Sequence, residues 1–79
     1  NKLDVHYSNT IKNIIIINPE MQSIKSVEII NILGQTIKTY KNVPNKIYGE
    51  IEVQSLSSGA YIIKLKTENG IVSKKVLVE

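Results

Sequence analysis

The sequence contains no cysteine, arginine, tryptophan or phenylalanine, and its only histidine is His6. Without cysteine no disulfide can form, and a single histidine leaves almost no ligands for a structural zinc site. Packing must therefore stabilise the fold, and we expect no cofactor and no metal. A chain of 79 residues has room for one domain, near the size at which a single core holds without crosslinks.

Strong charge and long apolar runs are also missing. All ten basic residues are lysines, interleaved with seven acidic residues for a net charge of +3, whereas nucleic-acid binders usually cluster Arg and Lys. The longest apolar run, residues 14–17, is far below the roughly twenty residues of a membrane-spanning helix. We therefore expect no nucleic-acid partner and no transmembrane span. Because the chain starts at Asn1 without a signal peptide, we expect a fragment of a larger protein.

What the sequence has in abundance is β-branched aliphatic residues, with fifteen isoleucines. Apolar and polar residues alternate with a period of two, and Gly, Pro, Asn and Ser interrupt the pattern every eight to twelve residues. Such a pattern is typical of short strands, and no helical stretch is long enough to compete. The sequence predicts an all-β fold: a single immunoglobulin-like antiparallel β-sandwich of about seven strands.

Two strands carry further predictions. Residues 11–17 form a nearly continuous apolar run, which indicates a central strand buried on both faces and ended by Asn18-Pro19. In the third strand, Val27 is in phase with the core whereas Ile30 and Ile32 are in the opposite phase, so either both faces are covered or a bulge shifts the pattern. Residues 42–49 form a loop long enough to cross between the sheets.

The last third of the chain predicts a β-hairpin. Asn69-Gly70 suits a two-residue type I′ turn between two alternating strands. With these two residues in the turn, Ile63 lies opposite Val76 and Lys64 lies opposite Lys75. The apolar pattern opposes a slip of one residue, since such a slip would turn the apolar row toward solvent.

Lysines on the solvent face of this hairpin allow two interpretations. Lys64, Lys66 and Lys75 share that face, and the direct opposition of Lys64 to Lys75 is unfavourable. The lysines either deter edge-to-edge aggregation or form a cationic patch for an acidic partner or an anionic surface. The residues alone favour edge protection.

Catalytic-looking residues have simpler explanations. Asp4, His6 and Ser8 share one face of the first strand, but alternate residues of a strand stand about 6.5 to 7 Å apart, too far for a hydrogen-bonded relay. Glu50 and Glu52 lack the loop of a calcium site. We interpret both groups as solvated faces and expect no enzymatic activity.

Two sequence blocks resemble a known family. The first reads V-x-I-x-N-x-x-G-Q at residues 27–35, and the second reads L-x-x-G-x-Y-x-x-K at residues 56–64, followed by a Lys-rich, Val-ending last strand. Together they resemble the type A C-terminal sorting domain of the bacterial type IX secretion system, over nearly the whole chain. The Pro-Asn-Pro segment that is usual in this family is replaced by residues 7–10, which keep Asn9 and neither proline.

The resemblance implies a non-enzymatic sorting domain over residues 1–79, carried behind an N-terminal cargo domain. It implies passage through the periplasm, recognition by an outer-membrane type IX translocon, and removal by a cell-surface protease of sortase-like function that attaches the cargo to anionic lipopolysaccharide. The cargo would reach the cell surface or the extracellular space. Recognition could use strand addition at a sheet edge. By resemblance, the recognised residues are Gly34, Gly59, Tyr61, Lys74, Lys75, Val76 and Val78.

One alternative stays open. An immunoglobulin-like accessory or adhesion module beside a secreted enzyme has the same fold class, and folds of this kind host many functions. Four tyrosines are scattered along the chain, and Tyr40 and Tyr48 near one loop are the candidates for carbohydrate binding in this alternative.

Overall fold

Seven antiparallel strands make up the computed structural model of the chain, which describes residues 2–53 and 56–79. These described residues contain no helix and therefore no helical segment that could cross a bilayer. The all-β prediction and its seven strands are confirmed. The strands are β1 (Asp4–Ser8), β2 (Asn13–Ile17), β3 (Ile24–Asn31), β4 (Thr36–Lys41), β5 (Tyr48–Glu52), β6 (Gly59–Thr67) and β7 (Gly70–Val78).

The strands form two sheets that enclose the core. One sheet has three strands in the order β1-β2-β5, and the other has four in the order β4-β3-β6-β7. The chain crosses from the second sheet to the first between Lys41 and Tyr48, which confirms the predicted crossing, although β5 begins at Tyr48 and so the loop is shorter than the predicted residues 42–49. Both sheets contribute aliphatic side chains to one buried cluster, which includes Val5, Ile14, Ile29 and Leu65. This is the expected sandwich.

Strand β2 is central and buried, but it is shorter than predicted. Ile14 and Ile16 belong to the core, and Ile15, which projects from the opposite face, is only 9% exposed. The strand begins at Asn13, because Lys12 adopts a positive φ of 59° and its N–H donates to the carbonyl of Ser8. Ile11 is therefore in a turn and outside the strand.

Asn18 ends β2 in a buried hydrogen-bonded turn. Its side chain is fully buried, with Oδ1 accepting from the backbone N of Gln22 at 2.9 Å and Nδ2 donating to the Gln22 carbonyl at 3.0 Å. The backbone N of Asn18 donates to the carbonyl of Ile47, in the crossing loop. The predicted break at Asn18-Pro19 is confirmed, and Asn18 also joins two connections between the sheets.

The two phases of β3 come from an apolar outer face. A register shift opposite Ile29 and Ile30 leaves Ile37 as an extra residue in β4, and the shift against β6 lies before Val27, so the predicted bulge does not explain the phase of Ile30. Strand β3 itself pairs with β6 without interruption from residue 26 to residue 31. Ile29 therefore faces the core, while Ile30 projects outward and Ile32, just beyond the strand, is 79% exposed.

The closing hairpin is present, but its turn and register differ from the prediction. Thr67 pairs with Gly70, so the two turn residues are Glu68 and Asn69. A type I′ turn requires positive φ at both central residues, whereas the positive φ of this turn, 136°, is at Gly70. The Thr67 hydroxyl stabilises the turn by accepting from the Asn69 N–H at 3.1 Å.

The turn moves the hairpin register by two residues. Ile63 lies opposite Lys74 and Lys64 lies opposite Ser73, so both predicted pairs, Ile63 with Val76 and Lys64 with Lys75, are wrong. A shift of two residues leaves every side chain on its predicted face, because the side-chain period of a strand is two. The apolar row of β6 accordingly stays in the core.

Candidate recognition surface

The outer face of the four-stranded sheet is apolar at one end and cationic at the other. Because side chains alternate along strands and the core residues of these strands are known, the residues between them must project outward. At the apolar end, Ile30 pairs with Ile62 and Ala60 pairs with Leu77. The charged outer positions at the cationic end are Glu28, Lys41, Lys64 and Lys66, beside the polar Ser26, Thr39 and Ser73 and the exposed Ile71.

A shallow groove lies at the apolar end. It has a volume of about 370 Å³, with Ile30, Ala60 and Ile62 along its length. The turn that follows β3 borders it through Asn31, Ile32 and Gly34. Of the described residues that line this groove, only Lys75 is charged. The groove therefore presents apolar surface beside one cation.

Asn31 organises the turn beside the groove. Its Oδ1 accepts hydrogen bonds from the backbone N of Leu33 and of Gln35, each at 3.0 Å, and its Nδ2 donates to Gln35 Oε1 at 3.0 Å. Gly34 completes the turn with a φ of 83°, in the region that glycine favours. The N-x-x-G-Q part of the first motif is thus a self-capped turn. Sequence reasoning placed the turn at Gly34 but missed the role of Asn31.

The turn holds two large apolar side chains in solvent. Ile32 and Leu33 are 79% and 77% exposed, and Leu77, which pairs with the groove residue Ala60, is 64% exposed. A cluster of apolar side chains bordered by polar residues is typical of a surface that binds another molecule. This apolar cluster was not recognised as a site from the sequence, where Ile32 was seen only as a residue out of phase.

The three hairpin lysines share one face, as predicted, but only Lys64 and Lys66 lie at its cationic end. Lys66 forms an ion pair with Glu28 at 3.4 Å, and Lys64 lies between Glu28 on β3 and Ser73 on β7. Lys75 lies opposite Ile62. No two of these lysines are direct cross-strand partners, so the like-charge opposition that was expected from the sequence does not occur.

The residues proposed by resemblance fall into two groups. Gly34, Tyr61 and Lys75 border the groove, although the Tyr61 side chain is buried and its hydroxyl donates to the Ser57 carbonyl at 2.7 Å. Lys74 projects to the other side of β7 and binds Asp4 with an Nζ to Oδ1 distance of 3.1 Å. The structure therefore separates Lys74 from Lys75.

The remaining three residues of that set belong to the end of the hairpin. Gly59 pairs with Val78, and Tyr61 pairs with Val76. Val76 and Val78 are buried members of the core. Their side chains therefore stabilise the strand that displays Lys75 and Leu77 on the outer face.

The end of β7 is also bound by Asn9, in the segment that replaces Pro-Asn-Pro. Asn9 Nδ2 donates to the carbonyl of Leu77 at 3.0 Å, and its Oδ1 accepts from the backbone N of Glu79 at 2.8 Å. Sequence reasoning missed this contact. The retained asparagine was its signal, because an Asn side chain offers the same donor and acceptor as a peptide group.

Asp4, His6 and Ser8 lie along β1 at alternate positions, as predicted. They do not form a relay: Asp4 binds Lys74, and the Ser8 hydroxyl accepts from the backbone N of Ile11 at 3.4 Å. The hydrogen bond from Lys74, aided by one from the Val5 backbone, lowers the pKa of Asp4 below its usual value. Within residues 2–53 and 56–79, no group of three or more His, Asp or Glu side chains could hold a metal ion.

A second cleft, of about 320 Å³, lies beside β5. Tyr48, Glu50 and Lys46 line it, with the Tyr48 hydroxyl donating to Glu50 Oε2 at 2.9 Å and Asn13 Nδ2 donating to Oε1 at 2.9 Å. The bond to the carboxylate raises the pKa of Tyr48. Tyr40 packs against the core instead, where burial raises its pKa, so the two tyrosines do not line this cleft together.

Comparison with known proteins gives the family. The sequence profile described as "Secretion system C-terminal sorting domain" matches residues 6–79, which is nearly the whole chain. No curated protein matches this sequence. A sorting signal of this kind implies export to the cell surface or the extracellular space. The profile match covers both blocks that carried the resemblance, and the chain belongs to the family of type IX secretion C-terminal sorting domains.

Proposed function

We propose that this domain is a non-catalytic signal that directs an N-terminal cargo protein from the periplasm through the outer-membrane type IX translocon. The family match over residues 6–79 is the observation that carries the proposal. In this proposal residues 1–79 are the sorting domain of a larger secreted protein. The domain is then removed by a sortase-like surface protease, and the cargo is anchored at the cell surface.

The fold supports such a role. The core consists of residues of this domain and uses no disulfide, so the domain can present the same surface behind different cargo proteins. Of the residues proposed for recognition, Gly34, Tyr61 and Lys75 border one groove. Val76 and Val78 support β7 from the core, and Gly59 pairs with Val78. Lys74 would act from the opposite side of that strand.

Export of a reporter tests this function. Residues 1–79 are fused to the C-terminus of a periplasm-targeted fluorescent protein in a bacterium with a working type IX system, and reporter outside the outer membrane is measured. Export should require both the domain and an intact translocon. The controls are the reporter without the domain and the fusion in a strain that lacks the translocon. A folded fusion that stays in the periplasm of the working strain would refute the proposal.

Removal and anchoring are tested on the same fusion. The exported reporter should be smaller than the fusion by the mass of this domain and should stay with the cell envelope. In a strain with an inactive surface protease, the full-length fusion should accumulate. Intact mass spectrometry of surface reporter decides this, and an exported reporter that keeps residues 1–79 would contradict the removal step.

The cleft beside β5 supports one second candidate, a carbohydrate-binding accessory module. Half-exposed Tyr48 and the Glu50 carboxylate give an aromatic face and a hydrogen-bond acceptor in one cleft. Glycan binding by the isolated domain that is lost in Tyr48→Ala would favour this candidate. Binding unchanged by that substitution, or absent, would exclude this cleft as the sugar site.

A further inference from the structure

The apolar end of the outer sheet face has the composition of an interface centre. Ile32, Leu33 and Leu77 are each more than 60% exposed. Ile32 lines the groove together with Ile30 and Ile62. Leu33 follows Ile32 in the same turn, and Leu77 pairs with the groove residue Ala60. Specific interfaces have an apolar centre and a polar rim, and here the rim contains Lys75. Contact of these apolar side chains with water is unfavourable, so a molecule that covers them would gain binding free energy.

We propose that this groove is the docking site for an acidic segment of a protein partner in the export machinery. An apolar side chain of that segment lies along Ile30 and Ile62, and a neighbouring carboxylate pairs with Lys75. The inference rests on the proposed function for the origin of the partner. It adds the surface that is recognised and the chemistry of the segment that recognises it.

The charge of the face selects an acidic occupant. On the outer face, the strands carry Lys41, Lys64, Lys66 and Lys75 against one acid, Glu28, which already pairs with Lys66. Within the described chain, no ion pair involves Lys75. Complementary charges speed association and reject wrong partners. Carboxylates of a partner would complement the positive charge of this rim.

The shape of the groove argues against a small ligand. Ligand pockets bury most of a small molecule's surface, whereas this groove is open along a sheet face, and Ile32 on its border is 79% exposed. A protein segment can cover the exposed side chains of the turn and of β7 together. A macromolecule therefore fits the surface better than a lipid chain or a metabolite.

A second copy of the chain fits less well. If two copies met through the same face, lysines would meet lysines. The acidic face of the three-stranded sheet is the other possible complement, but Asp4 there binds Lys74, and Glu50 accepts from Asn13 and Tyr48. Two of the three strand carboxylates on this face are therefore already engaged, which leaves Glu52 as the remaining one.

Two substitutions in the reporter fusion test the groove. Lys75→Glu reverses the rim charge, with Lys38→Glu as the matched control, because Lys38 is an exposed lysine on edge strand β4 that does not line the groove. Ile32→Asp alters the exposed turn, with Ile47→Asp as its control, because Ile47 is 59% exposed and outside the groove. Each groove variant should lower export at least about fivefold, as expected for charge reversal or loss of an apolar contact in an interface, and the controls should stay within about twofold.

A photo-crosslinking residue at Leu77 identifies the occupant during export. The expected product joins Leu77 to a protein segment that carries Asp or Glu beside the attachment point, and raised salt should reduce its yield. The same crosslinker at Ile47 should not form it. Crosslinks only to a second copy of the chain, only to lipid, or to no molecule would overturn the inference.

The outcomes separate the two proposals. If the unsubstituted fusion is exported and both groove variants, shown to be folded by circular dichroism, are exported like their controls, the groove inference fails and the proposed function stands. If the unsubstituted folded fusion is not exported, both fail. If one variant misfolds, the other variant and the crosslink decide.

Discussion

Asn9 accepts a hydrogen bond from the backbone N of Glu79 at 2.8 Å, although the two residues are 70 positions apart. The same side chain donates to the carbonyl of Leu77. Its amide therefore takes the place of a peptide group from a neighbouring strand and occupies this end of the free edge of β7. A strand that adds to this edge must either stop before Leu77 or displace Asn9.

Removing this contact should loosen the end of β7. Asn9→Ala deletes two exposed hydrogen bonds, so we expect the free energy of unfolding to fall by roughly 1 kcal/mol. Amide hydrogen exchange at Glu79 should become faster. Asn9→Asp is the matched control, because it keeps the acceptor for the Glu79 N–H and should preserve much of its protection. Equal exchange in Asn9→Ala and the unsubstituted protein would show that the contact is not maintained in solution.

Asn18 should be the more costly asparagine to replace. Its side chain is fully buried and makes two hydrogen bonds to the Gln22 backbone. Loss of a hydrogen-bond partner destabilises a protein more when the remaining polar group is buried than when it is exposed to water. We expect Asn18→Ala to lower the free energy of unfolding by about 2 to 4 kcal/mol, measured by urea denaturation. Asn45→Ala changes an exposed residue of the crossing loop and should cost less than about 0.5 kcal/mol. Similar losses in the two variants would contradict the role given to Asn18.

The ion pair between Asp4 and Lys74 should make the free energy of unfolding decrease at acidic pH. Lys74 lowers the pKa of Asp4 in the folded state, so the charged pair stabilises the protein above the usual pKa of Asp, and this stabilisation is lost as pH falls through the lower folded pKa. Because both side chains are about half exposed, we expect only a few tenths of a kcal/mol.

Comparison of the melting temperature at pH 7 and pH 2.5 in the unsubstituted protein and in Asp4→Asn measures this effect. The variant should lose less stability on acidification than the unsubstituted protein, and Lys74→Met should behave like it. An identical loss in all three proteins would show that the pair contributes nothing to the acid dependence. High salt should reduce the difference, since exposed pairs are screened.

Local patterns predicted most of the fold. Alternation along β6 placed Ile63 and Leu65 in the core, and the structure confirms it. The same alternation could not choose between registers two residues apart, because both keep the same residues inside. That choice depended on the turn, where the Thr67 hydroxyl and the positive φ of Gly70 favour a loop of Glu68 and Asn69.

The candidate site was harder to predict, because it depends on distant contacts. Gly34 is recognisable as a turn residue from its own neighbours. The groove needs Ile30 beside Ile62 across β3 and β6, and the contact of Asn9 with β7 joins opposite ends of the chain. The alternation of apolar and polar residues shows only that Ile30 is out of phase with the core residues of β3. The order of the strands in the sheet places Ile30 beside Ile62 in the groove.

Gly34 offers a test of how the turn beside the groove is built. Its φ is 83°, and a Cβ added there would meet no atom within 4 Å, so any cost of Gly34→Ala comes from the backbone conformation alone. We expect the free energy of unfolding to fall by roughly 1 to 2 kcal/mol. Asn tolerates positive φ better than Ala, so Gly34→Asn should cost less. Gly49 is the matched control, because it also has open space around its Cβ position but no positive φ.

Urea denaturation of the three variants gives the comparison. Gly49→Ala should be neutral or slightly stabilising, since Ala restricts the unfolded chain more than Gly does. The expected order of stability is Gly49→Ala, then Gly34→Asn, then Gly34→Ala. Equal stability of the two alanine variants would mean that the turn does not need a positive φ at residue 34. In that case the glycine of the first motif would require an explanation other than backbone geometry, and contact with a recognising partner at the border of the groove would be the first to examine.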